Sequence, residues 1–535
     1  MDSLLVAAIA SAAWYAFWAT HVLYTIQGTT LQSIVIGLFL GAVLGDVPTC
    51  MAIGASIQSL YLGLVMSGGN VPSDQGLAAC VAIPVAVLND LDVATAISLA
   101  LPVGLLGGVL TNVRYMICGL FVDRAERHAD AANGAGIWRC AVLYPCVVVF
   151  LMYFPVVFLA VFFGTGFIEG VLGAIPAWLQ NGLTVAGGVL PAIGFALIVK
   201  VINRPTYIPL FMVGFFMVQY GGLSVMACAV FAICVSLFVT FFGNDLEEQV
   251  RGDDMDDDLD DEEEVPAATE HVLTGADVNR FFWRWYVYCE APHCFERMQA
   301  LSLCAAFVPA LEKLYPNDED KPLLAAAYHR QLAYFNIEAI WGAAPLGVAL
   351  AMEESQAINR SMTDEEADAA INGLKTGFMG PFSGIGDVID WGTIQVLLLG
   401  IGMSFASEGS WVGALVAIVF VPISLAEGFF FVNLGYRLGS EAMESLLRSG
   451  LVTKLIDTTS MIGMMMMGAL GSSYVHLSLA SEAAQATLDG IIPGLLPLCA
   501  IFLLNRIIDK HMDKIAWVSF GIIGVSLVLS FVGLV

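Results

Sequence analysis

Apolar runs separated by short polar breaks occupy most of the 535-residue chain. In the first half they lie near residues 4–18, 31–44, 51–66, 76–88, 93–121, 140–163, 167–179, 183–202 and 206–242. In the second half, clear runs lie near residues 394–405, 411–434, 455–479, 491–505 and 515–535. Several are shorter than the ~20 residues that an α-helical membrane span needs. Glycine and proline punctuate them, so the pattern predicts an all-α polytopic membrane protein with broken and re-entrant helices around a binding site.

Composition agrees with a membrane protein. Hydrophobic residues make up 58% of the chain and charged residues only 13%, about half of the ~25% charge that is usual in soluble domains. No basic residue precedes the first apolar run and no small-residue cleavage site follows it, so we expect this run to be retained. The 11 cysteines form no C-x-x-C pair, and we expect them to act as small buried apolar side chains.

Much of the net charge of −27 is concentrated in one tract. Residues 245–270 include 14 acidic residues and one basic residue, which together contribute −13. Such a tract repels itself and cannot bury a core. We therefore predict a disordered acidic linker at 245–274 that joins two membrane domains, 1–244 and 275–535. Basic clusters beside the apolar runs place this linker on the cytoplasmic side, and nothing favours nucleic-acid binding.

The stretch at 377–393, GFMGPFSGIGDVIDWGT, combines five glycines and Pro381 with the carboxylates of Asp387 and Asp390. Glycine and proline interrupt helices, and a broken polar segment inside a membrane is tolerated only where it is buried or lines a cavity. The stretch is therefore either part of a solute site or a re-entrant turn that only packs. In a helix, the i,i+3 spacing would place both carboxylates on one side.

Polar side chains in apolar surroundings are costly unless they are paired or functional. Amide and carboxylate groups hold the hydroxyls of a polyhydroxylated ligand in fixed directions. On these grounds the predicted substrate-binding residues are Gln58, Asn70, Asp74, Asn336, Glu338, Asp387 and Asp390.

Other polar residues have structural interpretations. We interpret Asp46 as a helix N-cap, and Glu353 with Glu354 as a solvated helix end. Thr363 and Glu366 have the spacing of a capping box.

Two longer segments also carry predictions. The segment 311–375 is charged enough to be soluble and helical. The aromatic segment FFWRWYVY at 281–288 suits a membrane interface; alternatively, it is a helix face packed on the first half.

The sequence contains none of the common catalytic motifs. The seven histidines are isolated, and G-x-S-x-G, P-loop and Rossmann patterns do not occur. No His/Cys/carboxylate cluster has zinc-like spacing. We expect no catalytic residue, metal or cofactor in this chain, and the residues alone indicate a membrane solute carrier.

The second half resembles the IID membrane component of the mannose-type sugar phosphotransferase system. The similarity rests on FERMQAL at 295–301, VPALEKLYP at 308–316, AAPLGVALAMEE at 343–354, AINGLKTGFMGPFSGIGD at 370–387 and WGT at 391–393. The first half is similar to the IIC component, through GAVLGDVPT at 41–49, IGASIQSLYLG at 53–63, ISLALPVGLLGGVL at 97–110 and LQNGLTVAGGVLPAIGFALIV at 179–199. The chain thus looks like a IIC–IID fusion.

This resemblance implies that the chain is the sugar channel of a bacterial cytoplasmic (inner) membrane, with lipid around it and a homotrimeric assembly. Cytoplasmic IIA and IIB proteins would carry the phosphoryl groups, and IIB would phosphorylate the sugar. Alternatives are a phosphorylation-independent facilitator, an ion-coupled carrier, or a membrane sugar sensor.

Some positions depart from the family pattern. Gln58 stands where relatives have glutamate, Met66 near a usual asparagine, Val388 for a proline, Asp390 for an apolar residue and Cys294 for an asparagine. These changes cluster around expected substrate positions. The sugar is therefore expected to differ from mannose or glucose, with an amino sugar or a glycated compound as options and loss of transport as the alternative.

Overall fold

A computed structural model describes residues 2–62, 73–172, 205–251, 271–360, 362–448, 451–510 and 515–534, with single positions between 178 and 199. Helices account for almost all regular structure in these residues. The first half contains α1 (Asp2–Trp18), α2 (Tyr24–Thr30), α3 (Ser33–Leu44), α4 (Val47–Tyr61), α5 (Gln75–Leu88), α6 (Val93–Gly119), α7 (Val122–Asp130), α8 (Gly134–Trp138), α9 (Tyr144–Leu172), α10 (Ile208–Gln219) and α11 (Val225–Arg251).

The second half continues the all-α architecture that the apolar pattern predicts. Its helices are α12 (Gly275–Tyr288), α13 (Ala300–Leu314), α14 (Lys321–Gln331), α15 (Ala343–Asn359), α16 (Asp364–Gly386), α17 (Gln395–Ser407), α18 (Val412–Ile418), α19 (Phe420–Arg448), α20 (Leu451–Tyr474), α21 (Glu482–Ile491), α22 (Leu495–Lys510) and α23 (Ile515–Val532).

Four helical stretches of the described chain are long and apolar enough to cross a membrane: Val93–Asp130, Gly134–Gly164, Asp364–Ser407 and Val412–Leu438. Two bent pairs raise the number to six if each pair is one span. The first joins α2 to α3 with a bend of 65°, and the second joins α21 to α22 with a bend of 76°. These pairs are the broken spans or re-entrant loops that the short apolar runs predict.

The glycine-rich stretch is not broken, contrary to the prediction. Helix α16 continues through a π-helical segment, Asp387–Ile394, directly into α17, and the three form one helix, Asp364–Ser407. The π-helical segment accommodates extra backbone without ending the helix. The carboxylates therefore face the protein interior from a continuous helix. The start of this helix has the predicted capping box of Thr363 with Glu366.

The two halves pack into one body. At the contact of α10 with α20, a side chain on Gly214 or Gly468 would collide with the facing backbone, so small residues allow these helices to approach closely. Elsewhere the Leu23 N–H donates to the Val287 carbonyl at 2.6 Å. Because Val287 lies in the aromatic segment, this contact supports the alternative that α12 packs on the first half.

The other aromatic side chains of α12 are divided between the two halves. The Phe281 ring packs on Phe307 and the Phe282 ring on Phe429, both in the second half. The Tyr286 hydroxyl lies 2.7 Å from the Thr25 hydroxyl of the first half. Phe281, Phe282, Trp285 and Tyr286 are buried, whereas Trp283 is exposed. The predicted segment therefore has one face in the core and one tryptophan on the surface.

Candidate substrate site

Glu338 lies in the bend between α14 and α15 and is buried. Its carboxylate accepts hydrogen bonds from the Ile340 N–H at 3.0 Å and the Trp341 N–H at 2.8 Å, where α15 approaches its start. The Trp391 indole donates to the other oxygen at 3.3 Å. A side chain on Gly386 would collide with the Glu338 carboxylate. The glycine that precedes the π-helical segment thus lets the long helix approach this carboxylate.

Asp390 lies beside Glu338 and is fully buried. The indole of Trp341 donates to Asp390 Oδ1 at 3.1 Å, so one tryptophan contacts both carboxylates, through its backbone and through its ring. Asp390 Oδ2 is buried and has no hydrogen-bond partner. An unpaired carboxylate oxygen at this depth is costly unless a ligand or a proton satisfies it.

Two further carboxylates, Asp387 and Glu427, lie close enough to Asp390 to act on it electrostatically. Glu427 comes from α19, and its Oε2 is also buried without a partner. Among the described residues, no lysine or arginine forms an ion pair with any of the four acids. The site therefore concentrates carboxylates, which accept hydrogen bonds, and no described protein cation pairs with them.

An open cavity of about 680 Å³ borders this cluster and includes the predicted residue Asn336. Its lining residues are Ala333, Tyr334, Asn336, Thr376, Met379, Gly380 and Ser383. The Glu338 N–H donates to the Ser383 hydroxyl at 3.1 Å, which connects the cavity wall to the carboxylate. The volume lies within the ~300–1,000 Å³ range of small-molecule sites.

In the first half, Gln58 is buried on α4, and its amide donates to Gln32 Oε1 at 2.8 Å. Gln75 donates to the same oxygen. Gln32 in turn donates to the Gly28 carbonyl at 2.8 Å across the break between α2 and α3. The Gln58 Oε1 atom is buried without a partner. This amide cluster can therefore still accept a hydrogen bond from a ligand.

Trp391 connects the amide cluster to the carboxylates. Its indole packs on Gly28, where an added Cβ would lie 2.7 Å from the ring. The ring of Tyr24 packs edge-on against it at 5.3 Å. The same indole donates to Glu338. Residues from both halves therefore meet at one side chain.

Asp74 has a different role in the structure from Gln58. It caps α5 by accepting from the Leu77 N–H at 2.8 Å, and the Tyr15 hydroxyl donates to its other oxygen at 2.5 Å. The neighbouring Gln75, rather than Asp74, contacts the amide cluster. Asn70 and Met66 lie outside the described residues. Asp46 accepts from the Thr49 N–H at 3.1 Å, which confirms the predicted N-cap.

The prediction for Glu353 and Glu354 is wrong, because both are buried inside α15 rather than solvated at a helix end. Glu353 accepts from Arg330 at 2.6 Å and from Gln331 at 2.5 Å. Lys375 completes this polar cluster through the Gln331 side chain at 2.9 Å. The partners come from distant parts of the chain, so local sequence could not show them.

Glu354 holds the segment just before α12 in place through hydrogen bonds. It accepts from the Leu273 N–H at 2.6 Å, from His271 at 3.0 Å and from the Tyr436 hydroxyl. Burial opposes its charge, but these hydrogen bonds outweigh burial and lower the pKa of the Glu354 carboxyl below its usual value.

Glu427, Gln32, Gln75 and Trp391 were not among the predicted site residues. Glu427 is the lone acid within the apolar run at 411–434, and that rarity could have identified it. The two glutamines become candidates when α4 and α5 pack on the start of α3 within the first half, and the tryptophan becomes one when the two halves meet.

Comparisons with known proteins agree with this two-part arrangement. The family model for the sorbose-specific IIC component of the phosphotransferase system matches residues 4–238, and that for the mannose/fructose/sorbose family IID component matches residues 272–535. The mannose-specific EIID component of Escherichia coli (strain K12) is 34% identical over 275 residues, 48% of this chain and 94% of the relative.

Two further relatives complete the comparison. The N-acetylgalactosamine permease IIC component 1 of the same organism is 32% identical over 193 residues, 36% of this chain and 72% of the relative. A cryo-EM structure of a mannose transporter with microcin E492 aligns with 50% of this chain and 99% of its own, at 33% identity and a TM-score of 0.30. The chain belongs to the mannose/fructose/sorbose family of phosphotransferase-system membrane components, with a IIC-type first half and a IID-type second half.

Proposed function

We propose that this chain forms the membrane pathway of a sugar phosphotransferase system in a bacterial cytoplasmic membrane, as a homotrimer. The observation that supports this most directly is the meeting of both halves at Trp391, between the Gln32 amide cluster and the Glu338 carboxylate. Neighbouring amides and carboxylates are suited to the hydroxyls of a sugar. The adjoining cavity at Asn336 gives such a ligand room to enter.

The chain binds and presents the sugar, and the phosphoryl transfer belongs to its partners. A cytoplasmic IIA protein supplies the phosphoryl group to IIB, which transfers it to a sugar hydroxyl. The relatives are named as a mannose-specific EIID component and an N-acetylgalactosamine permease IIC component, and we propose that the acidic segment at 245–274 joins the corresponding domains here, 1–244 and 275–535.

We further propose that the sugar carries a positive charge, as an amino sugar or a glycated amine does. Asp390 offers a buried carboxylate oxygen without a partner, and Glu427 offers a second. A ligand ammonium group would donate to these oxygens and offset part of the negative charge of the cluster, and charge-assisted hydrogen bonds of this kind are the stronger class. The unusual Asp390 then becomes a specificity determinant.

The test is uptake by proteoliposomes that contain the purified chain. With IIA, IIB and a phosphoryl donor inside, labelled sugar should accumulate as its phosphate. Without them, accumulation should fall to the level of empty vesicles. Full-rate uptake of unmodified sugar without IIA and IIB would instead establish a facilitator and refute the phosphotransferase assignment.

A further inference from the structure

A second cavity, of about 400 Å³, lies between α12 and α19 and shares no lining residue with the cavity at Asn336. It is lined by Asn279, Phe429, Phe430, Asn433, Leu434 and Arg437. The two helices are held together beside it by the edge-on contact of Phe282 with Phe429, whose ring centroids lie 4.8 Å apart. The floor of the cavity is therefore a packed aromatic contact.

The polar rim of this cavity is formed by Asn279, Asn433 and Arg437. Asn433 donates to Asn279 Oδ1 at 2.7 Å, and no acceptor among the described residues takes the protons of the Asn279 NH₂ group. Arg437 is exposed and forms no ion pair with a described residue. No carboxylate lines the cavity. A guanidinium beside an amide N–H suits a phosphate group.

The cavity lies near one end of a candidate membrane span. Arg437 lies one residue before the end of the apolar stretch Val412–Leu438, and a basic residue at the end of a span reaches the headgroup region when the span crosses a bilayer. Phe430, two turns before it, is 60% exposed. On the neighbouring helix, Trp283 is exposed four residues after Asn279, as expected of an aromatic side chain at the interface. An apolar wall thus lies below a cationic rim.

From this arrangement we infer that the cavity between α12 and α19 binds the headgroup of an anionic phospholipid. Arg437 and Asn279 contact the phosphate, and an acyl chain lies along Phe430 and Leu434. The cavity holds a headgroup with its glycerol, while the tail stays in the bilayer. Anionic lipid is favoured over zwitterionic lipid because Arg437 forms no ion pair with a described residue.

The test uses the full chain in mild detergent with phosphatidylglycerol, and native mass spectrometry counts the retained lipids. Arg437→Gln should reduce retained phosphatidylglycerol at least fivefold. The matched control is Arg506→Gln, which removes an exposed arginine near the end of α22 and should leave retention unchanged. Phosphatidylcholine should be retained weakly by all three proteins.

A second rim variant keeps the test valid if Arg437→Gln fails to fold. Asn279→Asp adds a carboxylate to the rim at an exposed position and should reduce phosphatidylglycerol retention as well. Equal retention by wild type and both rim variants would overturn the proposal. So would complete displacement of the lipid by millimolar inorganic phosphate, since that result indicates a site for the free anion.

Discussion

Replacing Asp390 with asparagine tests whether the carboxylate cluster selects a cationic sugar. Asparagine has nearly the same shape, and its carbonyl can still accept from the Trp341 indole, which donates to Asp390 Oδ1 at 3.1 Å. The change removes the charge and replaces the unpaired Oδ2 with an NH₂ group of similar size. We therefore expect the variant to fold, with a thermal midpoint no lower than that of the wild type.

The expected effect on binding follows from the loss of one charge-assisted contact. A hydrogen bond to a charged group contributes about 1.5–3 kcal/mol. Since 1.4 kcal/mol is a tenfold change in affinity, binding of an amino sugar should weaken by about 10- to 100-fold. Binding of the matching neutral hexose should stay within about twofold, because it places no ammonium group against this oxygen.

The assay is calorimetric titration of the purified chain with a hexose and its 2-amino analogue. Asp46→Asn is the control, because it makes the same chemical change at a helix N-cap outside the site. The reasoning fails if Asp390→Asn weakens both sugars equally, since the residue would then act on structure alone. It also fails if neither affinity changes.

Three further changes test the packing of the site and its support. Gly386→Ala should abolish sugar binding in calorimetry, because its methyl group would collide with the buried Glu338 carboxylate. In the control Gly384→Ala the methyl group faces open space, so this variant should bind sugar normally. Arg330→Leu removes the arginine that forms an ion pair with the buried Glu353, so the free energy of unfolding in mixed micelles should fall by about 3–5 kcal/mol; an unchanged value would contradict the buried-pair argument. Because the folded-state pKa of Glu354 is lowered, its stabilising contribution is present above the unfolded value of ~4.3 and is lost as pH falls through the folded value. Glu354→Gln should therefore show a shallower loss of thermal stability on acidification, and parallel pH profiles would refute this.

Local patterns predicted those parts of the molecule that depend on neighbours in sequence. The apolar runs predicted helices and short broken spans, and cap residues predicted helix starts at Asp46 and Thr363. Lone polar residues in apolar runs led to Gln58, Glu338 and Asp390, each of which is buried.

Two predictions from local preference failed. Proline and glycine at 380–381 suggested a broken helix, but α16 runs through both residues and continues into the π-helical segment Asp387–Ile394. Glu353 and Glu354 resembled a solvated end, but cations and donors from distant segments surround them. The partners of these two glutamates lie too far away in sequence to form a readable pattern.

The joining of both halves at Trp391 has a consequence for any movement that carries a sugar through this site. The indole contacts Gly28 of the bent α2–α3 pair and donates to Glu338 of the second half. Gln32 at the bend also holds Gln58, so the amide cluster is tied to the same element. Displacement of the long helix would therefore move the carboxylates and the amide cluster together. If either group moved alone, it would lose its contact with the Trp391 indole. We therefore expect the site to change its access from one side of the membrane to the other by a rigid movement of one packed unit. The bent α2–α3 pair, where the backbone direction changes by 65°, belongs to the contacts of this unit.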